Sequence, residues 1–121
     1  MISHIDHLVL TVRDVDRAVD FYARVLGLTP ITFAGNRRAL RFGRQKINLQ
    51  TLGEETRNYA GIGSGDLCLI ASVPLEEVMG HLKRESVAII EGPVKKSGAV
   101  GTMTSIYFND PDGNLIEVSV Y

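Results

Sequence analysis

The chain repeats one pattern of apolar and polar residues in its two halves. His7-Leu8-Val9-Leu10 aligns with Asp66-Leu67-Cys68-Leu69, and Ile47-Asn48-Leu49 aligns with Ile116-Glu117-Val118. Each half is typical of a strand, a helix and three further strands. One such unit would leave a sheet face uncovered, so we expect the two units to fold together. The repeat therefore predicts an α+β fold in which two βαβββ modules form a mixed, mostly antiparallel, curved sheet with a concave face.

We expect a single domain, divided into module 1 at residues 1–52, a linker at residues 53–65 and module 2 at residues 66–121. Asp14 is a suitable helix N-cap and Gly27 a typical residue just beyond a helix end, so the first helix should lie between them. Pro74 suits the start of the second helix. The predicted strands cover residues 4–12, 28–33, 39–43, 46–52, 66–71, 87–90, 105–108 and 115–120, and residues 91–104 are predicted to form a mobile basic loop.

Composition excludes several classes of protein. Hydrophobic residues make up 45% of the 121 residues and the net charge is −1, which argues for a globular domain and against a general nucleic-acid binder. No apolar run is long enough to span a membrane, and no secretory signal is evident. Cys68 is the single cysteine, which excludes an internal disulfide and fits a reducing compartment. We therefore expect a cytoplasmic protein.

Three segments carry a resemblance to a known family. They are Asp6-His7-Leu8-Val9-Leu10, the helical stretch Ala18-Val19-Asp20-Phe21-Tyr22 leading to Val25-Leu26-Gly27, and Ile106 to Glu117 with its Asn109-Asp110-Pro111-Asp112-Gly113-Asn114 turn. Together they resemble the vicinal oxygen chelate superfamily of glyoxalase I, extradiol dioxygenases, fosfomycin-resistance transferases and bleomycin-resistance proteins. The chain looks especially like small bacterial glyoxalase-like proteins. This resemblance implies the paired-module fold but no single reaction, because members differ in chemistry.

Strand alternation assigns side chains to the concave face. His7 and Val9 point there from the first strand, and Asp66 and Cys68 do so from its counterpart. Glu117 takes this face from the last strand. Asn48 and Gln50 are the equivalent positions in module 1. By the symmetry of the repeat, His7, Asp66, Glu117 and one of the two amides should therefore converge.

The resemblance implies a metal site at these positions. His7 and Glu117 fall on ligand positions, whereas Asp66 stands where a second histidine is common and Asn48 where glyoxalase I has an acid. We take His7, Asp66, Glu117 and Gln50 as candidate ligands of a divalent ion: Mn, Fe, Mg, Ni or Zn. An oxygen-rich set favours Mn²⁺, Mg²⁺ or Fe²⁺ over a tight Zn²⁺ site. Purely structural roles stay open: His7 can be a hydrogen-bonded core histidine, Glu117 a paired acid and Asp66 a residue that starts a strand.

Other residues on the concave face are candidates for substrate binding. Arg41 can bind a carboxylate or phosphonate through two parallel hydrogen bonds, or it can be a solvated arginine at a strand edge. Tyr107, Ser105 and Asn48 can hydrogen-bond a substrate, or Tyr107 can simply fill the core. Glu117 and Asp66 are the candidate catalytic residues, each able to move a proton.

The resemblance implies a metal-dependent enzyme that acts on a small oxygenated molecule, which can be anionic, by lyase, isomerase or dioxygenase chemistry. The alternative function is metal-free sequestration of a drug, as in bleomycin-resistance proteins. A third alternative is an inert relative of these proteins, whose concave face is filled by its own side chains. Small members commonly form homodimers, sometimes by exchanging modules, so the sequence leaves open whether His7 and Glu117 meet within one chain.

Overall fold

The computed structural model describes residues 1–121 and contains two βαβββ modules. Module 1 consists of β1 (His7–Thr11), α1 (Val15–Leu26), β2 (Thr29–Phe33), β3 (Arg37–Phe42) and β4 (Gln45–Gln50), with a 3-10 turn at Ala34–Asn36. Module 2 consists of β5 (Asp66–Ile70), α2 (Leu75–Arg84), β6 (Glu91–Gly98), β7 (Gly101–Asn109) and β8 (Leu115–Val120). The predicted α+β class with two βαβββ modules is confirmed. Neither helix has the length and apolar composition needed to cross a bilayer.

Each module forms a four-stranded mixed sheet. The first sheet has the order β1-β4-β3-β2 and the second the order β5-β8-β7-β6. In each sheet the first strand runs parallel to the last one of its module, and the remaining pairs are antiparallel. The register sets His7 level with Lys46 and Cys68 level with Glu117. Paired residues share a sheet face, so this register decides which side chains meet.

Local chemistry fixes the ends of α1. The side chain of Asp14 accepts a hydrogen bond from the backbone N–H of Arg17 at 3.1 Å, which satisfies one free donor of the first turn. Gly27 ends the helix in the left-handed region, at φ 68°, where a side chain would be strained. One face of the helix is buried, through Ala18, Val19, Phe21, Tyr22 and Val25.

Both modules pack their inner sides into one hydrophobic core. The core joins α1 and α2 to the inner faces of both sheets, including Leu40 and Ile47 of the first and Phe108 and Ile116 of the second. The ring of Phe21 lies 6.4 Å from that of Phe108, so α1 contacts the sheet of module 2 directly. The opposite face of each sheet points away from this core. We call these the first outer face and the second outer face.

A buried polar network ties the turn of module 2 to module 1. The hydroxyl of Tyr22 donates to Oδ2 of Asp110 at 2.6 Å, and Nδ2 of Asn114 donates to the same oxygen at 2.8 Å. Oδ1 of Asp110 accepts the backbone N–H groups of Asp112 and Asn114. Oδ1 of Asn114 accepts the N–H of Gly65 at the end of the linker. Both carboxylate oxygens of Asp110 are therefore hydrogen-bonded although the residue is buried.

One part of the secondary-structure prediction is wrong. Residues 87–90 do not form a strand, and the segment 91–104 predicted as a mobile loop contains all of β6 and the start of β7. β6 lies at the edge of its sheet, where Pro93 and exposed lysine are tolerated because one side of an edge strand has no pairing partner. Because proline, glycine and lysine are also typical of loops, residues 91–98 resemble a loop in the sequence. The other predicted strands are present, with ends that differ by a few residues.

Candidate functional site

The first outer face carries a polar cavity of about 570 Å³ beside His7. Its floor comes from β1 and β4, and its wall from the loop after β4. Val9 is its one apolar lining residue; the others are His7, Arg37, Asn48, Gln50, Glu54, Glu55, Arg57 and Asn58. A cavity of this size with polar walls suits a small, oxygen-bearing ligand.

His7 is oriented by its neighbour in sequence. Nδ1 of His7 lies 2.7 Å from Oδ1 of Asp6, and the histidine side chain is 45% exposed. The hydrogen bond to His7 is the largest influence on the pKa of Asp6 and holds that pKa below its usual value. A carboxylate that accepts from Nδ1 leaves Nε2 as the imidazole's free lone pair. Nε2 is therefore the ring nitrogen of His7 that could accept a proton or bind a metal ion.

Asn48 lies in the same cavity with an unused acceptor. The residue is 4% exposed, and its Oδ1 has no hydrogen-bond partner in the chain. Gln50 differs, because its Nε2 donates to Oγ1 of Thr11 at 2.9 Å. An unpaired buried carbonyl is unfavourable, so Asn48 is a position where a ligand's donor, or a cation, would restore a lost interaction.

The second outer face gathers polar side chains around Glu117. The strand register sets Tyr107, Glu117 and Cys68 side by side across β7, β8 and β5. Ser105 donates to Oε2 of Glu117 at 2.7 Å and Ser119 donates to the same oxygen at 3.1 Å. The Cys68 thiol lies 3.2 Å from the Ser119 hydroxyl. Glu117 is thus a partly buried carboxylate held by hydroxyl groups.

Hydrogen bonding and burial act in opposite directions on the pKa of Glu117. Burial raises the pKa of this carboxyl, but hydrogen bonds from Ser105, Tyr107 and Ser119 together outweigh burial and leave the pKa below its usual value. The same surroundings raise the pKa of Tyr107 to about 12, through burial first and then the bond to Glu117. Burial likewise raises the pKa of the Cys68 thiol. At neutral pH the site therefore holds an anionic carboxylate next to a neutral phenol and a neutral thiol.

The remaining candidates lie at the ends of these faces. Asp66 is exposed at the start of β5, two residues before Cys68 and so on the same face as Glu117. Arg41 is exposed on β3, in register with Lys46 and through it with His7. Arg41 also lines a groove between the modules, described below.

The candidates thus form two groups on two sheets. His7, Asn48 and Gln50 share the first outer face, and Asp66, Ser105, Tyr107 and Glu117 belong to the second sheet. No cluster of three or more His, Cys, Asp or Glu side chains suited to a metal forms within one chain. An imidazole and an amide oxygen are presented by one face and a carboxylate by the other.

Some residues of the cavity escaped the sequence prediction. Arg37, Glu54, Glu55, Arg57 and Asn58 line it, and all but Arg37 come from the predicted linker. Their side chains follow no strand period, so no alternation rule assigns them a face. Lys46 lies on the same face but does not line the cavity; its Nζ lies 3.6 Å from the centre of the Phe33 ring, and period-two spacing from Asn48 predicts its face.

Comparison with known proteins agrees with the fold. The model of the Glyoxalase/Bleomycin resistance protein/Dioxygenase superfamily matches residues 4–118. The chain belongs to this superfamily.

Similar proteins include two with solved structures. A Vibrio cholerae integron cassette protein is 52% identical, with a TM-score of 0.95, over 100% of this chain and 97% of that one. Virulence protein STM3117 of Salmonella typhimurium is 48% identical, with a TM-score of 0.95, over 100% of this chain and 98% of that structure. A metallothiol transferase, FosB, of Shouchella clausii is 28% identical over 98% of this chain and 80% of its own length.

Proposed function

We propose that the chain is a metal-dependent enzyme of the glyoxalase-like type, acting as a homodimer on a small oxygenated substrate. The first outer face of one chain would meet the second outer face of its partner, so that one site combines residues of both. The single observation that carries this proposal is the split of complementary ligands between two exposed sheet faces: a free imidazole nitrogen at His7 on one, and an anionic carboxylate at Glu117 on the other.

The donor groups fit a divalent cation. Nε2 of His7, the carboxylate of Glu117 and the unpaired Oδ1 of Asn48 are one nitrogen and two oxygen donors. Asp66 would add a second carboxylate and Gln50 a second amide oxygen. Such a set suits Mn²⁺, Mg²⁺ or Fe²⁺, and Ni²⁺ or Zn²⁺ less well. The likeness to a relative named a metallothiol transferase supports the use of a metal.

A bound cation would supply Lewis-acid polarisation of adjacent substrate oxygens. The chain's own residues would bind and orient the substrate. Arg41 would bind an anionic group of the substrate, and Tyr107 would donate a hydrogen bond, because its raised pKa keeps the phenol protonated. Ser105 holds Glu117 in place, and Asp66 or Glu117 would move a proton to or from substrate carbon. Because some residues would bind the substrate and others would move a proton, the site suits lyase or isomerase chemistry. Dioxygenase chemistry is the other reaction class proposed for the same fold.

A second candidate is metal-free binding of a drug-like molecule. It is favoured by exposed apolar side chains on both outer faces: Val9 is 38% and Ile70 54% exposed. Two such faces brought together would enclose an apolar ligand, and a site with only one imidazole would bind a metal weakly.

Subunit mixing tests the proposal. Wild-type protein, His7→Ala and Glu117→Gln are titrated with Mn²⁺ by calorimetry after confirmation of dimers by sedimentation. Each single variant should lose the Mn²⁺ binding of the wild type. Unfolding and refolding the two variants together should restore about a quarter of the wild-type sites, because about half of randomly formed dimers are mixed and each has one intact site.

Glu76→Gln, an exposed carboxylate of α2, is the matched control and should bind like wild type. Equal Mn²⁺ binding by all variants would overturn the proposal. Wild-type dimers without metal affinity that still bind bleomycin would favour the second candidate. Lost binding without recovery in the mixture would place the ligands within one chain.

A further inference from the structure

A groove of about 990 Å³ lies between the modules, and neither Glu117 nor Asn48 lines it. Its walls come from the end of α1, the β3–β4 hairpin, the end of β5 and the exposed side of α2. Apolar groups line its depth: Val25, Leu28, Phe42, Leu69 and Val78. A groove of this size with an apolar floor is typical of small-molecule sites.

The groove is positively charged at its rim. Arg41, Arg44 and Arg84 line it, all three exposed and none in an ion pair. The one carboxylate among the lining residues is Glu77. His81 is already engaged, because its Nε2 lies 2.8 Å from the backbone oxygen of Arg24. Free guanidinium groups next to an apolar floor favour a ligand with an anionic head and an apolar body.

The two-module repeat creates a second position equivalent to this groove, and the chain itself fills that second position. There the loop between β7 and β8 packs against module 1, and Oδ1 of Asp112 accepts the backbone N–H of Arg13 at 3.0 Å. The β3–β4 hairpin is shorter, since only Gly43 and Arg44 separate its strands, and it makes no such contact. The groove therefore remains open where its counterpart is filled.

We propose that this groove is a second ligand site, which binds a small amphipathic carboxylate. The carboxylate would lie between Arg44 and Arg84, and the apolar body would pack on Leu28, Phe42 and Val78. The site does not depend on the metal site of the proposed function.

Decanoate, below its micellar concentration and at neutral pH, is the probe, with decanol as its uncharged counterpart. Binding is followed by amide chemical shifts in two-dimensional NMR spectra. Decanoate should shift signals of the groove, such as Leu28, Ser72 and Val78. Arg44→Gln combined with Arg84→Gln should weaken decanoate about tenfold and leave decanol unchanged, because only the charged head loses its partners.

Arg17→Gln, an exposed arginine of α1 outside the groove, is the matched control and should bind decanoate like wild type. Blocking the floor by Val78→Trp should abolish binding of both probes. Shifts confined to the outer faces, or equal decanoate affinity in the double variant, would overturn the proposal. Groove signals that move with protein concentration alone would show that a second copy covers the groove, and would overturn it too.

Discussion

The hydroxyl of Tyr22 in α1 donates a 2.6 Å hydrogen bond to Asp110 in the turn before β8, so a side chain of module 1 holds the turn of module 2. Tyr22 is fully buried and Asp110 is 5% exposed. Burial and the Asp110 carboxylate raise the pKa of Tyr22 well above its usual value, so the phenol stays a donor throughout the working pH range.

Tyr22→Phe should lower the free energy of unfolding by about 1–3 kcal/mol, because it removes one donor from a buried carboxylate and leaves the ring in place. Urea denaturation followed by circular dichroism measures the change. Tyr59→Phe removes a hydroxyl from a fully exposed ring and should change nothing. Equal stability of the two variants would mean that the bond contributes nothing to folding.

Gly63→Ala should destabilise the chain by about 1–3 kcal/mol. Gly63 has φ 79°, and a Cβ there would lie 2.7 Å from the backbone oxygen of Asp112. Gly61 is the matched control, since a Cβ at Gly61 meets nothing within 4 Å and its φ is ordinary. Thermal unfolding of both variants should separate them clearly; a Gly63→Ala variant as stable as Gly61→Ala would contradict the predicted contact.

Ser105→Ala should raise the pKa of Glu117, because it removes the shorter of two hydroxyl bonds to Oε2. In the wild type that pKa lies below the ordinary value of 4.5. Its contribution to stability is therefore complete above the pKa of the unfolded chain and is lost as pH falls through the lower folded-state pKa. The variant should lose less stability on acidification. Carbon-13 NMR titration of the Glu117 carboxyl measures the pKa; Thr102→Ala, an exposed hydroxyl on β7, should leave it unchanged.

Asp6→Asn should weaken Mn²⁺ binding by about tenfold, because residues that orient a ligating histidine contribute about that much to metal affinity. An asparagine can present its amide nitrogen to Nδ1 and so stabilise the wrong tautomer of His7. Calorimetric titration measures the affinity, with Glu76→Gln as the exposed control. An unchanged dissociation constant would indicate that Asp6 does not orient His7 in the assembled site.

The sequence predicted what depends on local pattern. The caps at Asp14 and Gly27 gave the bounds of α1, and period-two spacing placed His7 with Asn48 and Cys68 with Glu117. The strand β6 was not predicted, because Pro93 and two lysines are untypical of a strand away from a sheet edge. The sequence also could not place Glu54 or Arg57 in the cavity, since a loop's path depends on tertiary contacts. Whether His7 and Glu117 belong to one chain's site depends on how the modules pack, which no local pattern encodes.

Each sheet has two edges, and proline distinguishes them. β2 carries Pro30 and β6 carries Pro93, whereas β1 and β5 carry none. A proline has no N–H to donate, so backbone pairing with another strand is impaired along β2 and β6. Lateral growth of either sheet by a neighbouring molecule is thereby directed to β1 and β5, the strands that hold His7 and Cys68.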